Sequence, residues 1–154
     1  MATATDVLAG GEAVLTALYP GVPVRVRRGP PAAAGGKPDA GWQAGDPSTC
    51  FVLSLAAEDV EEQLSTFEEV LVKFPLRVDY VRPSPPASWK DDPDVREKRD
   101  AILAALYRPR LTGVAGVVHV GTRAGDPYQP VAGSTLSASV WYFDVVAWRA
   151  RPAG

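Results

Sequence analysis

Histidine and cysteine are nearly absent from this sequence: 154 residues contain one of each, His119 and Cys50. A single cysteine excludes an intramolecular disulfide and any CxxC metal or redox pair. Metal sites need clustered ligands, and one histidine supplies no cluster. Cys50 opens the apolar run Cys50-Phe-Val-Leu53 and reads as a buried thiol acting as a small hydrophobe. His119 lies in a valine-rich stretch and reads as a strand histidine with a satisfied ring, not as a zinc ligand or general base. A basic excess is also missing. Sixteen Lys and Arg stand against eighteen Asp and Glu, a net charge of −2, which argues against a dedicated nucleic-acid-binding domain. No run approaches the ~20 apolar residues of a membrane span. The first six residues show no charged segment followed by an apolar one, so no signal peptide is expected.

The glycine-based phosphate motifs, the GxSxG nucleophile turn and the calcium-loop pattern do not occur. Two acidic groups remain. Glu58 to Glu62 reads as a solvated face or turn, and Asp91 to Asp94 is explained by helix capping. The expectation is a protein that is not an enzyme and uses no cofactor or metal.

Glycine and proline are plentiful, at 14 and 15, and they cluster into loops. The longest, Gly29 to Ser48, holds nine of them and is expected to form no regular element. Trp42 stands in its middle, either awaiting a partner or folding back on its own domain. Arg25, Arg27 and Arg28 precede the loop. Their plain reading is surface charge, and their functional reading is docking to an acidic neighbour or to nucleic acid passing nearby.

Periodicity supplies the elements. A helix is expected over about Thr5 to Leu18, capped by Thr5 or Asp6. Val22 to Arg28 alternates as a short strand, and Pro23 favours an edge or a strand start. Cys50 to Leu55 is a second strand, followed by Ala56 to Leu64, either a helical turn or an acidic excursion. Glu68 to Arg82 alternates over more than ten residues. Val70, Val72, Phe74, Leu76, Val78 and Tyr80 form a core face, and Glu69, Leu71, Lys73, Pro75, Arg77 and Asp79 a mostly wet one. That length suggests a bend at Pro75 or projection beyond the domain. A second helix starts at Pro93, with Asp91 or Asp92 as cap, and ends near Tyr107. Val114 to Val120 is a strand, Gly121 to Gly133 a loop, and Leu136 to Trp148 a last strand that is apolar on both faces. The order is α-β-β-β-α-β-β in one domain, residues 1–154. It fits an α+β fold with two helices on one face of a mostly antiparallel sheet. The two-sided last strand leaves room for another subunit as its second cover.

The capped helix, strand, long loop, the strand from Phe67 to Tyr80, and Asp92-Pro-Asp-Val-Arg-Glu-Lys-Arg-Asp-Ala-Ile-Leu-Ala-Ala-Leu106 leading into two strands resemble tail-terminator proteins of long-tailed bacteriophages. Tail-completion and head–tail joining proteins are similar. The resemblance covers most of the chain in element order and size, and the Pro/Gly-rich loop departs from it. It implies a virion protein that closes into a ring, commonly a hexamer, on the last layer of the tail tube. Its partners are then itself, the tail tube protein and the head connector, with DNA able to pass through the ring and no membrane contact. The expected subunit interface is Lys73, Arg77, Trp141, Phe143 and Val145, and the expected docking loop Arg27, Arg28 and Trp42. The competing reading is a small cellular ligand-binding or dimeric ferredoxin-like module, with a pocket from Tyr80, Arg82 and His119.

Overall fold

The computed structural model describes residues 3–27, 33–34, 37–38, 42–55, 59–60, 69–83, 93–107, 116–130 and 135–150. Helix α1 spans Ala4–Leu18. Its N-cap is Thr3, not Thr5 or Asp6. The Thr3 hydroxyl accepts from the Asp6 amide while the Asp6 carboxylate accepts from the Thr3 amide, a reciprocal capping box. Strand β1 is Val24–Val26. The glycine-rich loop is not wholly irregular, because β2 (Ala33–Ala34) and β3 (Lys37–Pro38) pair as a two-residue ladder. Strand β4 is Cys50–Leu55, and β5, Asp59–Val60, is the part of the ambiguous acidic segment that is described. Strand β6 is Glu69–Pro83, α2 is Pro93–Tyr107, β7 is Val117–Pro130 and β8 is Leu136–Ala150.

The main sheet runs β1-β4-β6-β8-β7, with β5 also pairing β6. All pairs are antiparallel except β1 with β4. The fold is α+β, and leaving aside the two-residue ladders its order is the expected one. The first strand does lie at an edge, as Pro23 requires.

Strand β6 pairs β8 over fifteen unbroken rungs, from Glu69 opposite Ala150 to Pro83 opposite Leu136. A proline in a central strand normally breaks a rung. Here β4 pairs Leu76 to Val81 and β5 pairs Val72 and Lys73. The β8 ladder runs past Pro75 without a register shift.

Two expectations are corrected. Gly121 to Gly133 is not all loop: β7 continues to Pro130, with register shifts on either side of Asp126 that absorb the Gly-Asp-Pro sequence within the ladder. A further shift between Val117 and His119 explains why Val117 and Val120 are both buried while Val118 and His119 are exposed. The second face of β6 is also not wet. Leu71, Pro75, Arg77 and Asp79 are all buried.

The core is therefore double. On the helix side, Val7, Leu8, Val14 and Leu15 of α1 and Val95, Ile102 and Leu106 of α2 pack onto Phe51, Leu53, Phe74, Leu76, Trp141 and Phe143. Gly11 lets α1 approach: a Cβ there would lie 2.8 Å from Leu53 Cδ2 and 3.1 Å from Leu76 Cδ2. On the rear, Cys50, Val52, Val81, Leu136, Ala138 and Val140 form a second cluster, with Trp42 and Tyr142 packed against it.

Candidate functional site

Among the described residues, side chains capable of chemistry gather in three places. The first is on the helix side. The register sets Phe51 opposite Tyr80, and Trp141 lies one step along β8 on the same face. With Tyr19, at the C-cap of α1, the four rings form a ladder with centroid separations of 5.6, 5.1 and 6.0 Å. The Lys98 ammonium, from α2, stands over Tyr19 at 5.3 Å and over Tyr80 at 5.5 Å, and donates to Asp94 at 2.6 Å. The Arg82 guanidinium lies 5.4 Å from the Tyr80 centroid. Cations over aromatic faces gain from the ring quadrupole, and more so when water is partly excluded. Burial opposes the Lys98 charge, but the Asp94 carboxylate and the two phenol rings outweigh it and leave its pKa raised. Burial likewise pushes the Tyr19 phenol up.

The second place is the rear face, where Arg77 donates from Nε to Asp79 Oδ1 at 2.7 Å and from Nη2 to Oδ2 at 3.1 Å. The third is the rear edge. Asp46 accepts from Arg27 and from the Gln43 amide (2.8 Å), with Arg25 Nε at 3.8 Å.

Charged groups at all three places are paired within the chain. Among the described residues no three His, Cys, Asp or Glu side chains come close enough to hold a metal ion. No helix among them is long and apolar enough to cross a membrane.

The expected subunit-interface residues do not form one surface. Trp141, Phe143 and Val145 face the helices and are 5%, 0% and 0% exposed, so they belong to the chain's own core. Lys73 and Arg77 lie on the opposite face, and Arg77 is itself buried. What covers the helix side of β8 is α2, within the chain's own core. Of the expected docking loop, Arg27 is paired with Asp46. Trp42 folds back: its indole N–H donates to the Pro47 carbonyl at 2.9 Å, and its ring packs on the rear cluster. Arg28 lies outside the described residues.

The pocket from Tyr80, Arg82 and His119 is not assembled. His119 stands opposite Val146, whose other neighbour is Lys73, seven residues along β6 from Tyr80 and nine from Arg82. At about 3.3 Å per residue this is a separation of roughly 23 to 30 Å. The sequence reading missed the Lys98 and Asp46 centres. Spacing offered a signal for the first only: Asp94 and Lys98 are an i,i+4 pair.

No family model matches the chain, and no curated protein matches it. Among solved structures, it is similar to a chain in the virion of a native gene transfer agent particle. The identity is 15%, with 89% of this chain and 86% of that chain covered, at a TM-score of 0.46. At that TM-score the likeness carries no functional argument.

Proposed function

We propose that this chain is a structural subunit of a phage-like virion, one that closes into a ring at the end of the tail tube, stops tube growth and joins the tail to the head connector. The observation that carries this reading is the β6–β8 ribbon, fifteen rungs without a register shift, buried on the helix side and, around Arg77 to Val81 and Leu136 to Val140, on the rear as well. At about 3.3 Å per residue it is a plank roughly 50 Å long, about twice the ~22 Å of either fifteen-residue helix. A stiff, two-sided plank is suited to bearing load between neighbours.

Two further features support it. The charges of Arg27, Arg77 and Lys98 are matched within the chain by Asp46, Asp79 and Asp94, as in a scaffold. The sheet also ends in the fourteen-residue β7 on one side and the three-residue β1 on the other. A long last strand is a template for pairing with another chain, and contacts between unlike surfaces of identical subunits generate rings.

The test is the mass of the purified protein by light scattering, alone and with isolated tail tubes. A closed ring, or one that forms only on tube tips, is the expected result. A stable monomer that ignores tubes overturns the reading.

A further inference from the structure

The rear cluster has an unusual cover. Pairing with β4 sets Arg25 opposite Val52, so Arg25 and Arg27 project to the rear, beside Cys50 and Val52. The segment leading into β4 lies over this edge. Asp46 binds Arg27 and the Gln43 amide, the Asp46 amide closes a turn on the Gln43 carbonyl at 3.0 Å, and Gly45 takes a φ of 99°. Trp42 is the segment's apolar anchor on the cluster. Gln43, Ala44, Gly45, Ser48 and Thr49 are exposed, whereas Cys50 and Val52 directly beneath are 0% exposed. The charges of Asp46, Arg25 and Arg27 all reach the Cys50 thiol.

The contrast in attachment is large. The Asp46 carboxylate and the Trp42 indole anchor the segment, while β4 beneath it is paired with β1 on one side and with β6 along its whole length on the other. Segments with few buried apolar contacts open at lower free energy than the ladders they cover. We propose that residues 42–49 form a strap, latched by Asp46, that opens as a local unit and lays bare the apolar rear cluster around Cys50. This device does not depend on the assembly reading.

Cys50 reports on it directly. In the closed state the thiol is buried and a poor nucleophile, since only the thiolate reacts. The experiment is labelling of Cys50 in the full chain by an aromatic disulfide reagent at several low urea concentrations, with global unfolding measured in parallel. The expected result is labelling at least about tenfold faster than global unfolding permits, with a much shallower urea dependence than the global transition. Asp46→Asn is expected to speed labelling a further tenfold or so while the Tm moves little, because it weakens charge-assisted bonds at the strap alone. Arg27→Gln should act in the same direction. Labelling whose urea dependence equals that of global unfolding overturns the proposal. So does an Asp46→Asn effect that merely follows the loss of global stability. If Asp46→Asn does not fold, the wild-type urea dependence decides by itself.

Discussion

Arg77 and Asp79 sit two residues apart on β6, point to the same rear face, and join through two hydrogen bonds while only 3% and 0% exposed. Removing one partner breaks a buried, two-bonded ion pair, at a cost of about 3–5 kcal/mol. Asp79→Leu and Arg77→Met are each expected to destabilise by about that much. The double variant should lose less than the sum, because either single change already breaks the shared pair. A double-mutant cycle by urea denaturation measures this, and additive losses would show that the pair acts as two independent residues.

Gly11 and Gly21 make a matched pair. A methyl at Gly11 meets the buried Leu53 and Leu76 side chains, whereas at Gly21 nothing lies within 4 Å. Gly11→Ala gains about 1 kcal/mol of helix propensity but costs about 1–3 kcal/mol in overpacking, for a net loss of about 1 kcal/mol. Gly21→Ala should change stability by less than about 0.5 kcal/mol. Thermal melts of the two variants distinguish close packing from a general glycine effect.

Phe143 is fully buried against the helix-side core. Phe143→Ala is expected to cost about 3–5 kcal/mol of folding stability. Any loss of assembly should follow the loss of folded protein. A variant that keeps its Tm and yet fails to assemble would return this residue to an interface.

Stability should fall on the alkaline side. Burial first, then Asp46, pushes the Cys50 thiol from 9.0 up to about 11. Lys98 and Tyr19 are raised as well. A folded-state pKa above the unfolded value favours the protonated form, so each contribution is complete below the unfolded pKa and is lost as pH rises through the folded one. For Cys50 that window is pH 9 to 11, and the loss is roughly 2–3 kcal/mol at 1.36 kcal/mol per unit. Cys50→Ala should flatten the urea midpoint against pH over this window. Lys98→Met should remove a separate loss beginning above about pH 10.5. A midpoint independent of pH across this range in the wild type would show that these groups titrate as they do in the unfolded chain.

Local rules made much of this fold legible. Period-two alternation placed β6, apolar runs placed β4 and β8, Pro93 placed the start of α2, and Pro23 limited β1 to an edge or a strand start. The two missed boundaries have local causes. Thr3 outcompeted Thr5 as cap because Asp6, three residues on, completes the reciprocal bonds. The Gly-Asp-Pro sequence looked like a loop because only a paired β8 could turn it into an irregularity within a strand.

The sequence by itself determined which residues are apolar, at what spacing, and therefore which elements form and in what order. It could not decide what covers each face. Alternation says that two faces differ, but whether Arg77 is wet or buried depends on strands brought from elsewhere in the chain. The apolar outer residues of β8 suggested a second subunit, yet Trp141, Phe143 and Val145 are buried in the helix-side core, and Leu136, Ala138 and Val140 in the rear cluster. The same holds for the charges: Arg77 with Asp79, and Arg27 with Asp46, became pairs only when register and packing placed them within hydrogen-bonding reach. Burial and pairing are properties of distance in space, and only the tertiary structure sets that distance.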